Sequence, residues 1–257
     1  MSYECFNVSI KDYIATVVFD HPPVNAQNRR SRDELIDIFD ECSDREDVRV
    51  VVLTGAGKVF SAGADVKERV GMVKAPGDYI RHNRVTREFI YAIEDCTRPV
   101  IAAVNGPAIG AGFRLMLACD IMVAADHAFV QMTEVDVGLS GGMKSRSQHF
   151  SRSMSRYMYY TGRRIPATEL YRLGVLTACV PAAQLMDTAM DIAREIATKS
   201  PLFVAKAKAG FNVVEEMPQR DAYRYEQTLT VQLSKSEDTR EAQKAFVEKR
   251  KPVFKGR

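Results

Sequence analysis

Two apolar runs that each break on a glycine-bearing turn and resume as a helix start govern what this chain can fold into. They are VVLTGAGKVFSAGADVK (residues 51–67) and RPVIAAVNGPAIGAGFRLMLACD (residues 98–120). Each reads as a buried strand, a tight turn and a helix N-terminus. The continuous β-branched run at residues 48–54 suits a strand covered on both faces. Residues 100–104, 112–118 and 121–124 read as strand, helix and strand. Units of this kind favour a largely parallel sheet whose ligands bind beyond the carboxyl ends of the strands, where both glycine turns lie.

Glycine and alanine crowded at such turns let a ligand approach the backbone closely. The N–H groups of a helix's first turn point outward as donors. Two such donor sites facing each other stabilise an oxyanion. For one turn, the simpler reading is that small residues permit close strand–helix packing; the pair favours function.

Around the turns, residues 7–10 and 14–19 alternate like the arms of a hairpin closing at Lys11 and Asp12. The turn HPPVNAQ follows, then a helix over residues 30–40 with Leu35, Ile36 and Phe39 at helical spacing. Gly71, Pro76 and Gly77 mark an irregular, lid-like segment before a helix over 79–94 that turns Phe89, Ile90 and Ile93 inward. From Ser145 onward the pattern is helical almost throughout, with Pro166, Pro181, Pro201 and Pro218 as breaks. The expected organisation is an α/β core over residues 1–200 and a helical portion over 201–257. The last helix, over 237–249, runs into the basic tail EKRKPVFKGR.

Composition excludes more than it selects. The 36 Lys and Arg nearly balance 33 Asp and Glu, so no overall basic field argues for nucleic acid or anionic membrane. The five cysteines are scattered without C-x-x-C spacing, and the four histidines form no ligand pair, so neither a disulfide framework nor a metal site is expected. No apolar stretch spans a bilayer and the N-terminus reads as strand, not signal, which points to the cytoplasm.

FSAGADVKE (60–68), residues 99–139 from PVIAAVNG to VDVGL, YYTGRRIPATELYRLGVL (159–176) and FVEKRKPVFKGR (246–257) together resemble the enoyl-CoA hydratase/isomerase family, also called the crotonase family. The resemblance runs over nearly the whole chain. It implies a ClpP/crotonase fold of repeated ββα units with a helical C-terminal portion. It also implies a coenzyme A thioester as substrate, no separate cofactor, and a homotrimer or homohexamer.

By position, the resemblance puts the thioester oxygen between the N–H groups of Ala64 and Ala111, within a binding loop formed by Ala62, Gly63, Asp65 and Gly110. Deprotonating a thioester, or adding a nucleophile conjugate to it, builds enolate charge on that oxygen. Each preorganised donor contributes about 3 kcal/mol to stabilising it. Lys67 and the tail residues Lys249, Arg250, Lys251 and Lys255 are candidates for the CoA phosphates, and Phe246 and Phe254 for its adenine; solvated charge and core capping are the plainer readings.

Glu134 is the expected proton carrier, placed by the resemblance against Cα and Cβ. A typical hydratase has a second glutamate twenty residues earlier, where this chain has Arg114. Arginine cannot serve as that base. A guanidinium near Glu134 would favour its ionised form; it could instead pair with a substrate carboxylate, or form a salt bridge with Glu134 or Asp136 away from substrate. Asp136 would face the same way as Glu134 only in an extended segment. Asp65 reads as a turn acceptor, Ser140 as a candidate water ligand for which solvent-facing serine is the plainer reading, and Gly142 as part of a loop near the reacting carbons.

The expected activity is enoyl-CoA hydration, with single-base enoyl-CoA isomerisation as the alternative and hydration–lysis of an aromatic acyl-CoA as a third. A non-catalytic RNA-binding homologue, using the basic serine-rich stretch MKSRSQHFSRSMSR (143–156), is weaker because aromatic residues are sparse there and no RNA-binding motif accompanies it.

Overall fold

The computed structural model describes residues 3–257. The N-terminal alternation forms a hairpin, β1 (Phe6–Lys11) against β2 (Ile14–Phe19), with Phe6 opposite Phe19 and Lys11 opposite Ile14. Its connecting residues Asp12 and Tyr13 have φ of 53° and 65°, as a two-residue turn matching strand twist requires.

A repeating unit follows, in which a main-sheet strand leads to a short strand of a second layer and then to a helix. After β2 come β3 (Ala26–Gln27) and α1 (Arg29–Asp44). Next are β4 (Val50–Gly55), β5 (Gly63–Ala64), α2 (Val66–Arg69) and, past the irregular segment, α3 (Asp78–Glu94). The third unit is β6 (Val100–Val104), β7 (Ala108–Ile109) and α4 (Ala111–Leu117). The fourth is β8 (Ile121–Ala125), β9 (Phe129–Gln131) and a 3₁₀ turn, Glu134–Val137. Then α5 (Met143–His149), α6 (Arg152–Thr161), β10 (Ile165–Pro166), α7 (Ala167–Arg172) and β11 (Ala178–Val180) lead to α8 (Leu185–Ala197).

The main sheet has the order β1-β2-β4-β6-β8-β11 and is parallel from β2 onward. Every residue of β4 and β6 is buried, as expected of a sheet covered on both faces. Val51, Leu53 and Ala102 join Leu35 and Phe39 of α1 and Phe89 and Ile93 of α3 in one apolar cluster. Val50, Val52, Ile101 and Ala103 join Leu185, Ala189 and Ala193 of α8 in another. The second layer comprises β3-β5 and β10-β9-β7, linked by a bridge from Ser61 to Ala108.

One sequence expectation is corrected here. The region after Ser145 is not helical almost throughout, because β10 and β11 add strands to both layers, β11 pairing Cys179 with Ala124. Elements of two or three residues carry too little periodicity to register.

The C-terminal helices are α9 (Pro201–Val214), α10 (Gln219–Leu233) and α11 (Glu237–Val247). Buried Lys208 ties α9 to the end of α3, its Nζ donating to Ile93 O at 2.8 Å and Arg98 O at 3.1 Å and pairing with Asp120 at 2.9 Å. The tail folds back: Asp238 accepts from Ser200 Oγ at 2.6 Å and Lys255 N at 2.8 Å, and Arg49 donates to Phe254 O at 3.1 Å. Among the described residues no helix is long and apolar enough to cross a membrane.

Candidate functional site

The two glycine turns pack backbone against backbone. A Cβ on Gly63, whose φ is +88°, would lie 2.5 Å from Ile109 O and 3.1 Å from Ala111 N. A Cβ on Gly112 would overlap Ser61 O. Only glycine lets β5 settle onto the start of α4. Asn25 clamps the first turn from outside, its amide donating to Val59 O at 2.7 Å and Ala56 O at 3.0 Å. Ser61 Oγ adds a bond to Asn25 O at 2.8 Å.

Individual positions differ in what they leave available. The Ala62 N–H is spent on Val24 O at 3.0 Å, and Gly63 N donates to Ser61 Oγ at 3.3 Å. Ala64 closes β5, and Asp65 caps α2 by accepting from Lys67 N at 2.8 Å, the turn-acceptor role expected of it. Lys67 itself is exposed. Gly110, with φ of 52°, donates to Gln131 O at 2.8 Å, which leaves Ala111 as the first helical residue of α4. Leading N–H groups of a helix have no acceptor within it.

Glu134 follows β9 at the start of the 3₁₀ turn and lies over Gly110. Its Oε1 is 3.0 Å from where a Cβ on Gly110 would stand, so a side chain at 110 would displace the carboxyl. Its Oε2 is buried without a hydrogen-bond partner among the described residues. Asp136 is exposed and lies two residues further round a 3₁₀ turn, not an extended strand, so it does not share the direction of Glu134.

Arg114 is paired with neither Glu134 nor Asp136. Its Nη2 lies 2.6 Å from Oε1 of Glu94, the last residue of α3, in a pair that is 21% and 30% exposed. Asn212 of α9 donates to Glu94 O at 2.7 Å, so this corner joins α3, α4 and α9. The expected partners are corrected because the contact comes from tertiary packing of two helix ends, which sequence spacing around Glu134 does not encode.

The residue that sequence reasoning missed is Arg146. It is 1% exposed, its Nη1 donates to Gly142 O at 2.6 Å, and its guanidinium stands 5.1 Å from the centre of the Phe113 ring. Its Nε is buried without a hydrogen-bond partner among the described residues. Burial pushes the guanidinium down to about 10, with Glu134 opposing the shift and Arg114 reinforcing it. Gly142 has φ of +68°, and a Cβ there would collide with Arg146 Nη1. Ser140 Oγ lies 3.1 Å from Tyr159 OH, which also accepts from Gly141 N at 3.2 Å, so this hydroxyl fixes the loop. Arg146 sits in a stretch whose charges and serines look solvated; the one available signal is its position four residues after Gly142.

The same burial breaks up the basic stretch at 143–156. Arg146 is inside and Lys144 pairs with Glu216 at 2.9 Å, so these residues do not form one basic face. In the tail, Arg250 is held at 2.6 Å by both Glu241 and Glu248, while Phe246 is 85% exposed.

A sequence profile described as enoyl-CoA hydratase/isomerase matches residues 9–257. Carnitinyl-CoA dehydratase of Escherichia coli strain K12 is 34% identical over 262 residues, covering 99% of each chain. A hydrolase of Rhodococcus jostii strain RHA1, named for (7aS)-7a-methyl-1,5-dioxo-2,3,5,6,7,7a-hexahydro-1H-indene-carboxyl-CoA, is 35% identical over 94% of this chain and 93% of its own. Among solved structures, an enoyl-CoA hydratase from Bacillus anthracis superposes with a TM-score of 0.93 at 31% identity, covering 99% of this chain and all of that one.

Proposed function

Because this chain belongs to the enoyl-CoA hydratase/isomerase family and is an acyl-CoA enzyme, we propose that it hydrates a 2-enoyl-CoA, using Ala64 and Ala111 as oxyanion donors and Glu134 as the proton carrier. The observation that carries the reading is the Glu134 carboxyl seated over Gly110 beside the two packed turns, with Oε2 buried and unpartnered among the described residues. The thioester oxygen sits between the two N–H groups. Glu134 takes a proton from water as the hydroxyl adds to Cβ, the enolate charge gathers on the held oxygen, and the same carboxyl returns the proton to Cα. Run backwards, this is the dehydration for which the Escherichia coli relative is named.

Isomerisation is the second reading, favoured by Arg114 standing where a second carboxylate is usual. Moving a proton between Cα and Cγ needs one base and no water. Crotonyl-CoA hydration assayed beside 3-enoyl-CoA isomerisation separates them; isomerisation without hydration would overturn the hydratase reading. Exposed Phe203, Phe211 and Phe246 on α9 to α11 support a further proposal, that the helical portion 201–257 forms contacts of a homotrimer or homohexamer. Light scattering of the purified protein tests it, and a monomeric mass overturns it.

A further inference from the structure

One face of α4 gathers more than the start of the helix. Gly110, Phe113 and Arg114 recur at spacings of three and four, so they share that face. The Glu134 carboxyl lies over Gly110, and the Arg146 guanidinium over Phe113. Arg114 turns to Glu94 instead. Glu134 and Arg146 carry opposite charges that attract, yet neither a hydrogen bond nor an ion pair joins them among the described residues. Each instead leaves one buried polar atom without a partner among the described residues: Oε2 of Glu134, an acceptor, and Nε of Arg146, a donor. Folded interiors rarely leave such atoms unmatched, because a buried polar atom that has given up water without gaining a partner is unfavourable.

We propose that Arg146 is the water-holding residue of this enzyme, its Nε–H and Glu134 Oε2 together binding the single oxygen that adds to Cβ. The inference rests on the hydratase reading above. A donor and an acceptor together suit an oxygen that both accepts and donates, which is a water in the forward reaction and the hydroxyl of a 3-hydroxyacyl-CoA in reverse. The guanidinium so replaces by position what a second carboxylate supplies, without replacing it as a base. The proton balance stays with Glu134, which takes the water proton as the C–O bond forms and delivers it to Cα. Isomerisation needs no such oxygen.

Two reactions on one protein separate this role from the rest of the site. Exchange of the α-proton of butyryl-CoA with D₂O requires Glu134 and the oxyanion donors but no bound water, whereas crotonyl-CoA hydration requires all three. Arg146→Lys keeps the charge and loses Nε; it is expected to lower hydration kcat by about 30-fold or more, with KM within about threefold and α-proton exchange within about twofold of wild type. Arg146→Met is expected to repeat the split more severely. Unchanged hydration, a parallel fall of both reactions, or a wild-type enzyme that exchanges without hydrating would overturn the proposal. Absence of exchange by the wild-type enzyme would overturn the Glu134 reading itself, and this inference with it. If either variant fails to fold, a wild-type crystal structure with 3-hydroxybutyryl-CoA decides. Its hydroxyl is expected within about 3.2 Å of both atoms, and a hydroxyl bound elsewhere would overturn the proposal.

Discussion

The half of the site made by β5 and the start of α4 is held by backbone packing, whereas the half made by Glu134 and Arg146 is held by side chains reaching across α4. In the first half the fixed quantities are φ angles and glycine contacts, and any side chain at Gly63 or Gly112 meets main-chain atoms. In the second, the protein leaves two buried polar atoms open. In the proposed reaction, stiffness serves the half that would stabilise charge without reorganisation, and unsatisfied hydrogen-bonding atoms serve the half that would receive a reacting oxygen. Substitutions should therefore damage folding in the first half and chemistry in the second.

The comparison breaks most visibly at Gly112. Gly112→Ala forces a Cβ into Ser61 O, and the expected cost is about 3 kcal/mol, read as a thermal midpoint lower by about 10 °C or as loss of soluble protein. A variant as stable and active as wild type would mean that the turns are not rigidly packed. Glu134→Gln should leave stability and CoA-ester affinity nearly intact while lowering turnover by about 10³-fold, the range expected for removing a positioned acid–base group. Calorimetric titration with a non-reacting acyl-CoA and a turnover assay check both arms. Arg114→Gln tests whether Arg114 belongs to either half. Its half-buried pair with Glu94 joins helix ends, so about 1 kcal/mol of stability and only a few-fold change in kcat/KM are expected.

The smallest effect lies outside both halves. Burial opposes ionisation of Glu34, but N–H bonds from Glu4 and Cys5 and the Arg30 guanidinium outweigh it and hold the carboxyl below its ordinary value. A carboxylate whose folded pKa is depressed stabilises the fold above its unfolded pKa, about 4.3, and loses that contribution as pH falls through the folded value. Denaturant melts of wild type and Glu34→Gln should differ at pH 7 and converge in stronger acid, with no change in turnover per folded molecule. A constant gap at all pH values would remove Glu34 as a source of acid lability.

What could be read in advance follows the same division. The β-branched run of β4, the alternation of β1 and β2 and the two glycine turns are local patterns, and they foretell the strands and the helix starts within a residue or two. Glycine at 63 and 110 is visible because backbone geometry demands it. By contrast, Arg146 looks like a surface cation until α5 folds it over Phe113, and Arg114 finds Glu94 only because α3 ends beside α4. The short strands β10 and β11 were hidden for a different reason, since two or three residues establish no period.

In the proposed reaction both halves of the site address one thioester. A crystal structure with a bound, non-reacting acyl-CoA tests this most directly. It is expected to show the thioester oxygen within about 3.2 Å of both Ala64 N and Ala111 N, with the Glu134 carboxyl facing Cα and Cβ. A thioester oxygen bound away from either N–H, or an acyl chain that leaves Glu134 without a view of those carbons, would contradict it.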